Sequence, residues 1–145
     1  MLFRMRSFIG KSILICFGLS VCLSLLLIFA VKLATSRPLS PDEPYRNLNC
    51  FAGLEFAIPI GIQLFLAIAS LFAFLNIIDK IRSQRFLSFA TFFFIHFVLF
   101  FLSIKEMINE KDVWIIILYF AFYMLPWTYY YIKFRKKWGI RPAIL

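Results

Sequence analysis

The residues of this chain predict an all-α fold, a polytopic integral membrane four-helix bundle with both termini cytoplasmic, and three observations carry that prediction. First, 63% of its 145 residues are hydrophobic and 16% are charged, whereas an average soluble domain is roughly half apolar and about a quarter charged. Second, four runs carry no charge: Ile13 to Val31, Phe56 to Ile78, Phe86 to Ile104 and Val113 to Ile132, of 19, 23, 19 and 20 residues. An α-helix rising ~1.5 Å per residue needs about 20 residues to cross ~30 Å of hydrocarbon. Third, runs such as "SLLLIFAV" and "ATFFFIHFVLFF" do not alternate polar with apolar, as the strands of a membrane barrel must when one face meets the lumen. Four spans occupy most of the chain, which leaves a single membrane domain over residues 1–145.

The first span is expected over about 13–34. Arg4, Arg6 and Lys11 precede it and the small residues of "LATS" follow it, a pattern shared with secretory signals. Signal-peptide apolar cores run about 7 to 15 residues, however, so this longer run reads as an uncleaved helix. An outer loop follows at about 35–53, with Pro38, Pro41 and Pro44 at every third position of "RPLSPDEPYRN". Proline at that spacing favours an extended polyproline II path. Pro38, Pro41, Asp42, Glu43, Pro44, Tyr45 and Arg46 form the candidate outer recognition loop, with a stiff strap between two helices as the plainer reading.

The second span, about 54–78, carries small residues every fourth position at Gly53, Ala57 and Gly61, and again at Ala69 and Ala73. Such residues let helices approach closely where lipid supplies no hydrophobic drive for association, so they form a candidate packing seam, with Pro59 expected to bend it. The third span, about 86–104, is so rich in phenylalanine that some rings must face lipid. The fourth, about 113–132, places Tyr119, Tyr123 and Trp127 at four-residue steps, a stripe expected in buried packing; a quinone or sterol groove is the alternative. Links of seven and eight residues after the second and third spans make their flanking helices antiparallel neighbours.

Charge sets the expected orientation. Cytoplasmic flanks of membrane helices are enriched in Lys and Arg. The amino-terminal arm, the "DKIRSQR" link and a basic tail over 133–145 together hold eleven cations, against four in the two other links. Both termini and the seven-residue link are therefore expected in the cytoplasm. Trp114 and the cluster Trp127, Tyr129, Tyr130 and Tyr131 fit the two headgroup levels. In the tail, "IKFRKKWGI" interleaves cations with rings and is expected to lie along an anionic inner leaflet, each cation near the surface contributing about 1 kcal/mol. The net charge of +9 thus reads as topology. With no helix-turn-helix, zinc-finger or RNA-binding signature, no nucleic acid is expected as a partner.

Polar residues inside the spans are the remaining candidates, because such groups are costly in hydrocarbon. Ser24, Gln63, His96 and Tyr123 project near mid-depth of spans one to four and form a candidate polar layer. Hydrogen bonds between helices, worth ~0.6 kcal/mol on average in membranes, are the simpler explanation for them. Lys32 and Glu55 fall at similar depth and form a candidate boundary ion pair. Cys16 and Cys22 lie within the first helix and Cys50 beyond it, which offers no disulfide framework. With one histidine and no H-E-x-x-H or G-x-S-x-G motif, no enzyme activity, metal or cofactor is expected. The expected function is a non-catalytic membrane interaction protein of the plasma or bacterial inner membrane. It would be an accessory, regulatory or immunity-type subunit whose partner is another membrane protein or a second copy. The alternative is a homo-oligomeric small-solute or ion pathway using the mid-depth polar layer.

Overall fold

The computed structural model describes residues 2–35, 54–107 and 113–139. The described elements are all helical: α1 (Leu2–Thr35), α2 (Leu54–Ala69), a 3₁₀ segment (Ser70–Ile77), α3 (Asp79–Ser83), α4 (Arg85–Met107) and α5 (Val113–Trp138). Four stretches are long and apolar enough to cross a membrane: Leu2–Ala34, Phe56–Ile77, Arg85–Lys105 and Val113–Trp138. The chain is a multi-pass membrane protein folded as an all-α four-helix bundle. Helix α1 packs against α2 and α5, while the 3₁₀ segment packs against α4.

Two spans are longer than their uncharged runs. Helix α1 starts at Leu2, not near residue 13, and its 34 residues extend ~51 Å, well beyond ~30 Å of hydrocarbon. The extension is held by side chains: Met5, Ile9, Ile13 and Cys16, spaced by three or four residues, form one buried stripe. Helix α5 likewise continues past residue 132 to Trp138, burying Phe134 and Trp138. Phe8 joins the two extensions, with its ring 4.8 Å from Trp138, 6.0 Å from Tyr130 and 6.4 Å from Phe134. The basic tail, expected to lie along an anionic inner leaflet, is helical as far as Trp138. The two rings belong to the core, and the exposed residues Arg4, Arg6, Lys11, Lys133, Lys136 and Lys137 point away from it. Hydrophobic contact between α1 and α5 keeps this charged stub helical, since short unpaired helices are marginal in water.

The second span departs from α geometry at Ser70. Runs of 3₁₀ helix beyond three or four residues are uncommon, and this one has eight. Its buried residues are Ser70, Ala73 and Asn76, spaced by three. With three residues per turn these side chains stack on one face; with 3.6 per turn, Ser70 and Asn76 would diverge by about 120°. The tighter pitch therefore lets both polar side chains face α4. Ile78 and Gln84 are extended and bracket α3, so the "DKIRSQR" link contains a short helix.

The small-residue seam is not continuous. Gly53 lies outside the described residues. Ala57 is exposed, and a β-carbon placed on Gly61 would meet no atom within 4 Å, whereas Ala69 and Ala73 are buried. The buried face of α2 instead runs through Pro59, Gln63, Leu66 and Ala67. Gln63, whose amide needs partners, outweighs small size in choosing which face turns inward.

Candidate functional site: the buried polar core

The four residues predicted to form one mid-depth layer are all buried, Ser24 and His96 at 1% exposure and Gln63 and Tyr123 at 0%, but they separate into two groups. In the first, Gln63 Nε2 donates to Ser24 Oγ at 3.1 Å and to the Tyr119 carbonyl at 3.0 Å. One side chain of α2 thus ties α1 to α5. Both N–H donors of the amide are used, and Oε1 is buried without a hydrogen-bond partner.

The second group is organised by a residue that periodicity did not single out. Ser70 Oγ lies 3.0 Å from the Leu66 carbonyl, 3.0 Å from His96 Nε2 and 2.7 Å from the Tyr123 hydroxyl. A serine hydroxyl has one proton and two acceptor sites, so three neighbours fill it. The Leu66 carbonyl can only accept, so with the Ser70 proton on that carbonyl the Tyr123 hydroxyl and an Nε2–H of His96 can both donate to Ser70 Oγ. The His96 ring stacks on Tyr123 with centroids 5.8 Å apart, and Trp127 follows at 6.0 Å from the His96 ring. Trp127 Nε1 donates to the Phe92 carbonyl at 3.0 Å. The predicted aromatic stripe of the fourth span is therefore core: Tyr119, Tyr123 and Trp127 are all buried.

A serine oxygen 3.0 Å from an imidazole nitrogen is the distance used by a nucleophile and its base. Two further features describe this pair. Ser70 is fully buried, and the Tyr123 hydroxyl lies 2.7 Å from its oxygen. The arrangement fixes helix positions.

A third polar contact lies towards the α3 link. Asn76 Nδ2 donates to Thr91 Oγ1 at 2.5 Å and to the Ala73 carbonyl at 3.3 Å. Gln63, Ser70 and Asn76 thus form a polar spine along the second span: Gln63 reaches α1 and α5, Ser70 reaches α4 and α5, and Asn76 reaches α4. Ser70 and Asn76 were legible as polar interruptions of an apolar run, but an α-helical projection sends them in different directions.

The charged end of the bundle is equally specific. Arg82 of α3 is 6% exposed. Its Nη2 pairs with Asp79, its Nη1 lies 3.3 Å from Met5 Sδ, and its backbone carbonyl accepts from Arg135 Nη1 at 2.6 Å. These contacts join the start of α1, the link and the end of α5. The three most basic segments therefore share one end of the bundle, as their charge pattern predicted.

At the opposite boundary the Lys32 ammonium lies 5.0 Å from the Phe56 ring centroid; the side chain of Glu55, the expected partner, lies outside the described part. The loop candidates Pro38, Pro41, Asp42, Glu43, Pro44, Tyr45 and Arg46 lie outside it as well. On the lipid side, α4 and α5 enclose a notch of about 220 Å³ lined by Phe97, Phe100, Ile117, Phe120, Ala121 and Met124. Its side chains offer no polar group to orient a quinone carbonyl or a sterol hydroxyl.

Comparison of the chain with protein-family models, with curated proteins and with solved structures finds no match, so its function must be argued from its own side chains.

Proposed function

We propose that this chain is a non-catalytic membrane interaction protein, an accessory, regulatory or immunity-type subunit that acts by docking its lipid-facing helices or its proline-containing loop on another membrane protein. One observation supports this most directly. The side chains with chemistry to offer at mid-depth, Ser24, Gln63, Ser70, His96 and Tyr123, are turned inward and bonded to one another or to backbone. What the spans present outward is apolar surface, which acts by contact. The positive-inside pattern supports a cytoplasmic position for the shared basic end and both termini, and an anionic leaflet of a plasma or bacterial inner membrane as its surroundings is part of the proposal.

The competing reading is a homo-oligomeric ion or solute pathway lined by Gln63, His96 and Tyr123. It requires those side chains to face a partner copy, and within one chain they are fully enclosed. Mild-detergent affinity purification followed by mass spectrometry, with and without residues 37–47, separates the readings. Docking predicts a specific membrane partner that is lost when the loop or a lipid-facing helix surface is altered. Recovery of the chain as a lone homo-oligomer, together with vesicle flux abolished by His96→Leu and Gln63→Phe in folded protein, would sink the proposal.

A further inference from the structure

The basic end of the bundle reaches past the membrane. Counting back from Ile13, where the uncharged run of the first span begins, Lys11 stands about 3 Å beyond the hydrocarbon, Arg6 about 10 Å and Arg4 about 13 Å at ~1.5 Å per residue. The headgroup layer accounts for only about 5–7 Å on each side. Lys11 is therefore level with lipid phosphates, while Arg4 and Arg6 are held beyond them in water. Phe3, 82% exposed, is at the tip. At about 100° per residue it projects about 160° from the buried Met5, with Arg4 on one flank and Arg6 on the other. The neighbouring helix adds charge of the same sign: Phe8, one turn after Arg4, packs its ring 4.8 Å from Trp138, and the Lys137 ammonium lies 4.7 Å from that Trp138 ring. Lys136 is exposed beside it. The three basic segments contain a single acidic side chain, Asp79, and Arg82 engages it. Arg4, Arg6, Lys136 and Lys137 thus share an end whose positive charge the chain does not neutralise, and a second copy in the same orientation brings no acid to it.

We infer that this tip is a docking surface for an acidic protein segment, with Phe3 inserted in an apolar pocket of the partner and Arg4 and Arg6 paired with carboxylates around it. Aromatic and arginine side chains are the ones enriched at protein interfaces and among their energetic hot spots. A rigid helix presents them at little ordering cost, and the first turns of α1 are held in place by Met5, Phe8 and Ile9, packed against Arg82 and α5. The lipid leaflet does not occupy the tip, because its phosphates lie short of Arg4 and Arg6. The surface is separate from the lipid-facing helices and from the proline-containing loop, so its test succeeds or fails independently of the docking proposed above.

The test uses the full-length chain in phosphatidylcholine nanodiscs at ~0.15 M salt, where charges are screened over about 8 Å. The probes are a helical glutamate-rich peptide with a stripe of leucine and phenylalanine, the same peptide with glutamine for every glutamate, and the same peptide with serine for every apolar residue. The first is expected to bind at least about tenfold more tightly than either control. Arg4→Glu/Arg6→Glu weakens it by about tenfold or more, since it sets like charges against each other, and Phe3→Ala does so by about tenfold. Lys11→Gln/Lys133→Gln, at the headgroup level, leaves binding unchanged. All of these side chains are exposed, so the variants keep the wild-type fold. Adding phosphatidylglycerol to the leaflets leaves the factor between wild type and Arg4→Glu/Arg6→Glu as it was. The proposal is overturned if either control peptide binds as well as the first, or if Lys11→Gln/Lys133→Gln costs as much as Arg4→Glu/Arg6→Glu. It is also overturned if phosphatidylglycerol erases the difference between wild type and Arg4→Glu/Arg6→Glu, which would assign the tip to the lipid surface.

Discussion

The two halves of the second span solve the same problem differently. From Leu54 to Ala69 the chain is α-helical and needs one polar anchor, Gln63, which reaches α1 and α5 with a single amide. From Ser70 to Ile77 it is 3₁₀ and carries two anchors, Ser70 and Asn76, both directed at α4. A 3₁₀ turn has poorer hydrogen-bond geometry than an α turn. Over eight residues it keeps Ser70 and Asn76 on one face, where both bond to α4 and Ser70 also meets Tyr123 of α5. Polar pairing selects the local helix type here, and size pairing does not: the small-residue positions Ala57 and Gly61 sit where no described helix approaches.

Substitutions can break this contrast, measured as unfolding free energy in mixed micelles. The largest effect is expected at Ala73, packed at 0% exposure between the two 3₁₀ anchors. Ala73→Leu overfills the interface with α4 and costs ~3 kcal/mol, while Ala57→Leu on the exposed face costs nothing resolvable. An equal response at both positions would contradict the assigned faces. Ser70→Ala comes next at ~2 kcal/mol, because it leaves the buried Tyr123 hydroxyl without its partner and removes the contact to His96. Adding Tyr123→Phe to it should recover part of the loss, a coupling that a purely local effect would not show.

Asn76→Leu is expected to cost about 1 kcal/mol and to relax the segment towards α geometry. Eight residues then shorten by ~4 Å, which spin labels at the exposed positions Leu64 and Ser83 would report as a shorter distance. An unchanged distance would mean that pitch is set by something other than the Asn76–Thr91 bond. In the α-helical half, Gln63→Leu should cost only ~0.6 kcal/mol, since Oε1 has no bond to lose and the leucine fills the same volume. Gly61→Ala is the smallest, within about 0.5 kcal/mol; a loss of several kcal/mol there would restore the seam.

The span count and the approximate span positions were legible because the cost of charge in hydrocarbon is local: a run either has Lys, Arg, Asp or Glu in it or it does not. The same rule failed at the ends of the first and last spans. Arg4, Arg6, Lys11, Lys133, Lys136 and Lys137 mark where hydrocarbon stops, but the helices continue through them because Met5, Ile9, Phe8, Phe134 and Trp138 find one another across the interface. Ser24, Gln63, His96 and Tyr123, the mid-depth candidates, are all buried. Their division into a Gln63 group and a Ser70 group was hidden, because it depends on which helices are neighbours.

Composition and charge order thus settled, with no reference to contacts, that four rods cross the membrane and that the three basic segments belong together. These are one-dimensional properties, governed by transfer of residues between water and lipid. Partner choice for Gln63, the role of Ser70, the 3₁₀ pitch and the crowding of Arg82 against Met5 and Arg135 were settled by folding. A hydrogen bond needs two groups within about 3 Å, and only packing decides which distant residues come that close.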